Sequence, residues 1–208
     1  MISDSALRIN CFLSTKRQED FAHREELVKF IISDYLRSNK SLGQFISVVG
    51  LSYLLTSQDT SLYFLNFDGM EMLFSILKSS EIDISIVYYG LLCVWSLSFY
   101  EQSIKDILIP QNNFFGILER LMYIFPKLKI IRIVCKILKN LFHFPKMLTI
   151  IISQKNLINM LKIYLKKDIK DESLIKILKQ VMNRINNLKS SILFFYKNIF
   201  LIYLFYRL

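Results

Sequence analysis

The six-residue stretch Met72-Leu73-Phe74-Ser75-Ile76-Leu77 decides the fold, because its apolar pattern occurs three times along the chain. The pattern returns 45 residues later as Ile117-Leu118-Glu119-Arg120-Leu121-Met122, and a further 43 residues later as Met160-Leu161-Lys162-Ile163-Tyr164-Leu165. Self-similarity at a fixed period is the sequence signature of repeat architectures. We therefore expect each copy to be one helix of a repeated structural unit.

Each copy lies between two other predicted helices. Longer apolar helices follow the copies, over residues 83–100, 127–143 and about 171–187. Shorter helical pieces precede them, at about 60–66, 101–109 and 146–153. Units of about 40 to 47 residues made of two or three helices are typical of HEAT and armadillo repeats. The predicted fold is all-α, an armadillo/HEAT-like right-handed α-solenoid of about three to four repeats, in which residues 19–37 and 41–57 form a partial fourth unit.

Turn-forming residues agree with this division. The chain has 5 Gly and 3 Pro, too few for the closely spaced turns of an antiparallel sandwich or barrel. Asp68-Gly69 and Pro110-Gln111-Asn112 separate predicted helices, and Pro126 suits the start of the next one. Because single units cannot bury their apolar faces alone, residues 1–188 are predicted to form one armadillo-like domain. Residues 189–208 are predicted to form an apolar C-terminal helix or tail.

The positive charge is concentrated in the second half of the chain. The net charge is +10, with 8 Lys and Arg against 11 Asp and Glu in residues 1–100, and 19 against 6 in residues 101–208. The second half should attract acidic partners, which could be protein carboxylates, anionic lipid or nucleic acid. No nucleic-acid recognition motif is present, so nucleic-acid binding is not expected.

Residue types that carry chemistry are sparse. The sequence has no Walker loop, dinucleotide-binding glycine fingerprint, zinc-ligand spacing or nucleophile elbow. Cys93 and Cys135 lie in apolar stretches and are expected to be buried core thiols, while His23 and His143 are the only histidines. We expect no catalytic, cofactor-binding or metal-binding residues, no cofactor, and no enzymatic activity.

Two apolar segments raise the question of a membrane protein. Ile84–Tyr100 contains 17 residues without a charge, which only reaches the lower limit for a bilayer span. The apolar run 192–206 has Lys197 near its centre, where a charge opposes insertion. A helix that is apolar on all sides is also what the centre of a helical protein requires. A core helix is therefore the expectation for Ile84–Tyr100, and a small integral membrane protein stays an alternative.

A row of basic residues is the one candidate site. Lys129, Arg132, Lys136 and Lys139 are spaced by 3, 4 and 3 residues, which places all four on one face of a helix. We call these four residues the basic stripe. If that helix is the third of its unit, the stripe lines the concave surface and could hold an acidic peptide or a carboxylate-rich helix. A plain solvated helix face is the alternative interpretation.

Four runs, in order, resemble the H subunit of the V-type (vacuolar) proton ATPase. They begin at Phe45-Ile46-Ser47-Val48-Val49-Gly50-Leu51 and continue with Phe67-Asp68-Gly69-Met70. The third is Tyr89-Gly90-Leu91-Leu92-Cys93-Val94-Trp95-Ser96-Leu97-Ser98-Phe99, similar to an aromatic-rich helix of that family. The fourth joins Lys129-Ile130-Ile131-Arg132-Ile133-Val134 to Lys139-Asn140-Leu141. The resemblance covers residues 45–142 and implies a shortened form of the armadillo/HEAT N-terminal domain.

The resemblance implies a non-catalytic regulatory and stator subunit. Such a subunit would be peripheral to vacuolar and other endomembranes on their cytoplasmic face. It would bridge the peripheral stalk, made of the E and G subunits, to the catalytic sector and so support ATP-driven proton transport. A generic armadillo adaptor that binds acidic or extended peptides is the alternative. An adaptor of the nuclear-import kind would repeat Trp and Asn in successive third helices, whereas Trp95 is the only tryptophan here.

Overall fold

Helices account for nearly all of the chain that the structure describes. The computed structural model describes residues 21–36, 41–79, 81–108 and 113–205, and these contain eleven α-helices and no strand. In chain order the helices are α1 (Phe21–Phe30), α2 (Ser41–Leu54), α3 (Gln58–Asn66), α4 (Gly69–Lys78), α5 (Ile84–Leu97), α6 (Glu101–Leu108), α7 (Phe114–Ile124), α8 (Leu128–Leu141), α9 (Pro145–Ser153), α10 (Lys155–Lys166) and α11 (Glu172–Phe205). A π-helical turn, Ile31–Leu36, continues α1. The all-α prediction is confirmed.

The helices follow the predicted order of short, intermediate and long. The short helices α3, α6 and α9 have 9, 8 and 9 residues, and α4, α7 and α10, which follow them, have 10, 11 and 12. The third helices α5 and α8 have 14 residues each, whereas α11 has 34. Helix α11 therefore passes residues 188 and 189 without a break. The predicted break at Pro110-Gln111-Asn112 lies outside the described residues.

The chain separates into two compact units, the first ending at Ile137 and the second beginning at Leu138. The division lies within α8. The predicted domain limits, 1–188 and 189–208, remain a prediction, and the side chains of residues 192–208 lie outside the described part of the chain.

The uncharged helix α5 lies in the core of the first unit. Val87, Leu91 and Val94 have no exposed surface, and the Cys93 thiol donates to the Val48 carbonyl of α2 at 3.4 Å. Asp83 begins the helix by accepting a hydrogen bond from the Ser85 amide at 2.6 Å, which holds the pKa of that carboxyl below its usual range. The expectation of a core helix is confirmed. Among the described residues, no helix is long and apolar enough to cross a membrane.

A buried side-chain hydroxyl lies at equivalent positions where one repeat ends and the next begins. The Ser103 hydroxyl of α6 hydrogen-bonds to the carbonyls of Leu97 (2.8 Å) and Tyr100 (2.7 Å). Thr60 of α3 does the same 43 residues earlier, with the carbonyls of Leu54 and Ser57. The side chain thus satisfies a carbonyl at the end of the preceding long helix, which has no partner within that helix.

A left-handed residue precedes the second helix in two units. Asp68 has φ 56° before α4, and Asn113 has φ 44° before α7, both at residue types that tolerate this conformation. Gly69 follows Asp68 because a Cβ there would lie 2.5 Å from the ring of Phe64, which is fully buried. The turn predicted at Asp68-Gly69 is therefore confirmed, and its cause is close packing of α3 against α4.

In the second unit, α9 and α10 pack against α11. The buried side chains of α10 include Leu157, Ile158 and Leu161, and those of α11 include Leu174, Leu178 and Ile185. Asp171 caps α11 by accepting from the Leu174 amide at 3.0 Å. The Asp171 carboxylate thus satisfies one of the backbone donors in the first turn of α11.

Candidate partner-binding surface

The basic stripe lies on α8, a strongly amphipathic helix. Ile130, Ile131, Val134, Ile137 and Leu138 are fully buried, and this apolar face anchors the helix in the protein. The cations occupy the remaining positions, where Lys129 and Lys139 are exposed, whereas Arg132 and Lys136 are half-buried. Within the first unit, the helix therefore fixes the spacing of Lys129, Arg132 and Lys136.

Two lysines of the stripe lie over aromatic rings of α5. The Lys129 ammonium is 4.8 Å from the centroid of Tyr88, and the Lys136 ammonium is 4.3 Å from the centroid of Trp95. Both are cation–π distances. The two residues of each pair are 41 positions apart in the sequence. Helices α5 and α8 therefore run parallel, with equivalent residues of consecutive repeats side by side. Lys129 and Lys136 are therefore held in place by the aromatic rings beneath them.

The aromatic residues extend this surface across α2 and α5. Tyr88 meets the edge of Tyr89 at a centroid distance of 5.3 Å, and Tyr89 meets Phe45 of α2 at 6.0 Å. At the other end of α5, Trp95 lies 6.1 Å from Phe99, which is 59% exposed. Trp95 is half-buried, with contacts to Phe99 and Lys136. The face formed by α2, α5 and α8 is thus aromatic and positively charged.

The last stripe residue, Lys139, belongs to the second unit and contacts α11. Its ammonium donates to Gln180 Oε1 at 3.3 Å, again across 41 residues of sequence. Within α8, Asn140 is 9% exposed and therefore belongs to the core. An adaptor of the nuclear-import kind would need such an asparagine at its peptide-binding surface.

The cation–π contacts make a measurable prediction about stability. Replacing Trp95 with leucine and Lys136 with methionine, singly and together, should give a coupling free energy of about 0.5–1 kcal/mol, because both side chains are half-buried. Urea unfolding of the four proteins measures it. In a matched double-mutant cycle of Trp95 with the exposed Lys127, the two losses of stability should add. Equal coupling free energies in both cycles would contradict a specific contact between Trp95 and Lys136.

The cysteines and histidines whose side chains are described lie in environments that suit a structural role. Burial raises the pKa of Cys135 to about 12 and raises the pKa of Cys93 further, so both thiols are protonated at neutral pH. His143 is exposed, with its Nδ1 atom 3.0 Å from the Asn140 carbonyl in the last turn of α8. His143 therefore lies at the C-terminal end of α8, where histidine can interact with the last carbonyl groups of the helix. Cys11 and His23 lie outside the residues whose side chains are described.

Sequence reasoning missed the partners of the stripe and the role of Arg120. The Arg120 guanidinium of α7 donates to the Ser79 carbonyl at 3.1 Å and to the Leu77 carbonyl, at the end of α4. Positions 88 and 95 precede 129 and 136 by 41 residues, which is close to but shorter than the repeat steps of 45 and 43 residues, so the repeat alone indicates only the region of α5 in which the aromatic partners lie. No comparable signal identifies the carbonyl groups that Arg120 reaches.

Comparison with known protein families identifies the family to which the chain belongs. The family model of the V-ATPase H subunit, for its N-terminal domain, matches residues 2–185. The chain belongs to the V-ATPase H-subunit family. The match extends beyond the residues 45–142 on which the sequence resemblance rested, and it includes the whole basic stripe. No curated protein gives a significant match.

Membership of the H-subunit family establishes the class of protein. The N-terminal domain of the H subunit is armadillo-like, which agrees with the three-helix units described above. The H subunit is a non-catalytic regulatory component of the V-ATPase, so the expectation that the chain is not an enzyme is confirmed. Its partners are accordingly components of the V-ATPase complex.

Proposed function

We propose that the chain is a regulatory and stator subunit of the V-type proton-pumping ATPase, bridging the E and G subunits of the peripheral stalk to the catalytic sector. The match to the H-subunit family over residues 2–185 carries this proposal. The location follows from it as the cytoplasmic face of vacuolar and other endomembranes. In this role the helical repeats act by rigid shape, since a stator must resist the torque of rotation.

The basic stripe supports the proposal as a contact for an acidic helix of the stalk. We expect the stalk helix that meets the stripe to carry carboxylates, which cations held on aromatic rings contact without further ordering of their side chains. The neighbouring rings of Trp95 and Phe99 offer apolar contact at the same surface. Charge then sets the register of the contact, and the rings exclude water from it.

Isolation of the complex from the native cells tests the proposed function. The tagged chain, solubilised from membranes in mild detergent, should co-purify with the catalytic and stalk subunits in near-equal amounts, as measured by mass spectrometry. Enrichment of other proteins without those subunits would support the adaptor alternative. Retention of the chain in membranes after alkaline carbonate extraction would instead support an integral membrane protein.

Charge reversal tests the role of the stripe. Replacing the exposed Lys129 and Lys139 with glutamate should weaken assembly with the stalk by about tenfold or more and flatten its dependence on salt, because the attraction that salt screens is removed. Quantitative pull-down of purified E and G subunits across a salt series measures this. The matched control replaces Lys146 and Lys155, which are exposed and outside the stripe, with glutamate. Equal loss in both variants would refute a specific role for the stripe.

A further inference from the structure

The corner where α7 meets α8 exposes a group of apolar side chains. Tyr123 is 81% exposed, Ile124 is 45% exposed and Leu128 is 39% exposed. Tyr123 and Ile124 are the last two residues of α7, and Leu128 is the first of α8, so all three lie within one short turn. We call these three residues the apolar corner. Exposed apolar side chains grouped in this way mark an interaction surface.

Two exposed lysines lie next to the apolar corner in sequence. Lys127 and Lys129 are exposed within the same turn. From Arg120 to Lys167 the sequence has 48 residues with 11 Lys and Arg and no Asp or Glu. The nearest acidic residue in sequence is Glu119, which is half-buried. The equivalent turn between α4 and α5 differs, since it carries exposed Glu81 and Asp83 and no apolar group of this kind.

We infer that the apolar corner binds the surface of an anionic lipid bilayer. The long acid-free stretch suits a surface that is uniformly negative, such as that of an anionic lipid bilayer. Tyrosine favours the membrane–water interface, and isoleucine and leucine favour the acyl chains below it. Lysines beside inserted apolar residues then reach the lipid phosphates.

Such binding would be peripheral and shallow, limited to three side chains and two nearby lysines. Membrane affinity in this class scales with the apolar area buried and with attraction to anionic lipid. A short turn therefore provides weak, reversible attachment. It would orient one edge of the first unit toward the bilayer, and it does not depend on the proposed assembly with the stalk.

Vesicle co-sedimentation of the purified full chain tests this inference. We expect binding to phosphatidylcholine vesicles that contain phosphatidylserine and at least about tenfold weaker binding to phosphatidylcholine alone. The variant Tyr123→Ser/Ile124→Ser should lower partitioning into the anionic vesicles by about tenfold. The matched control Leu42→Ser/Tyr53→Ser removes side chains that are 68% and 59% exposed on α2, and it should bind as the native chain does.

Fluorescence quenching locates the contact independently of affinity. Trp95 is the only native tryptophan, so Tyr123→Trp adds a probe at the corner and Leu42→Trp adds one elsewhere. Brominated acyl chains should quench the Tyr123→Trp probe and leave the Leu42→Trp probe unchanged. Failure to bind anionic vesicles, or equal effects of corner and control variants, would overturn the inference. Because the chain is tested alone, either result leaves the proposed role in the V-ATPase to its own experiment.

Discussion

Replacing Phe74 with alanine is expected to lower the free energy of unfolding by about 3–5 kcal/mol, the largest single effect we predict. Phe74 is 1% exposed, and its ring lies 5.4 Å from that of Phe114, which is 2% exposed. The two rings join α4 to α7, the second helices of successive units. Alanine would leave a cavity at this junction and remove the aromatic pair, which itself contributes about 0.5–1.5 kcal/mol.

Equilibrium unfolding in urea measures the loss at Phe74. Phe99→Ala is the matched control, because Phe99 is 59% exposed and its removal should cost no more than about 0.5 kcal/mol. Phe74→Leu should recover most of the lost stability, since leucine refills much of the volume. If Phe74→Ala and Phe99→Ala are equally stable, the junction between α4 and α7 does not hold the units together.

Phe74 also shows why the repeat could be read from sequence. It lies in the stretch whose apolar pattern recurs after 45 and 43 residues, and burial of that pattern is a requirement that each unit meets in the same way. The short helices observed at Gln58–Asn66, Glu101–Leu108 and Pro145–Ser153 begin within two residues of the predicted positions. Periodicity determines which face is buried, so it locates helices well.

The length of α11 could not be predicted from the repeat. Repeat spacing placed the end of this helix near residue 187, but the helix continues to Phe205. The sequence has no Gly or Pro after Pro145, so it contains no residue that stops a helix there. A repeat indicates where a unit should end, whereas the local chemistry determines whether the helix does end.

Contacts between successive repeats were the least predictable part of the candidate site. The spacing of the basic stripe correctly placed Lys129 and Lys136 on α8, but it gave no information about what lies beneath them. Tyr88 and Trp95 reach them only because α5 and α8 lie side by side in register. Such pairs depend on how helices pack, and one sequence without relatives offers only the repeat offset as a clue.

Removal of the Arg120 side chain is expected to give the second-largest loss, about 2–3 kcal/mol of unfolding free energy for Arg120→Ala. The last carbonyl groups of an α-helix have no partner within the helix. Arg120, in the following repeat, donates to the carbonyl of Leu77 in the last turn of α4 and to that of Ser79, the residue that caps the helix. It thus links α7 to the end of α4 in addition to the apolar contact at Phe74.

The planar guanidinium makes this role specific to arginine. Arg120→Lys should recover only part of the loss, because one ammonium cannot donate to two carbonyls with the same geometry. Arg184→Ala, at an exposed arginine of α11, is the matched control and should be nearly neutral. Urea unfolding measures the stabilities, and amide hydrogen exchange in the last turn of α4 should quicken in Arg120→Ala. If Arg120→Lys is as stable as the native chain, charge alone stabilises the end of α4, and the two-carbonyl geometry contributes nothing.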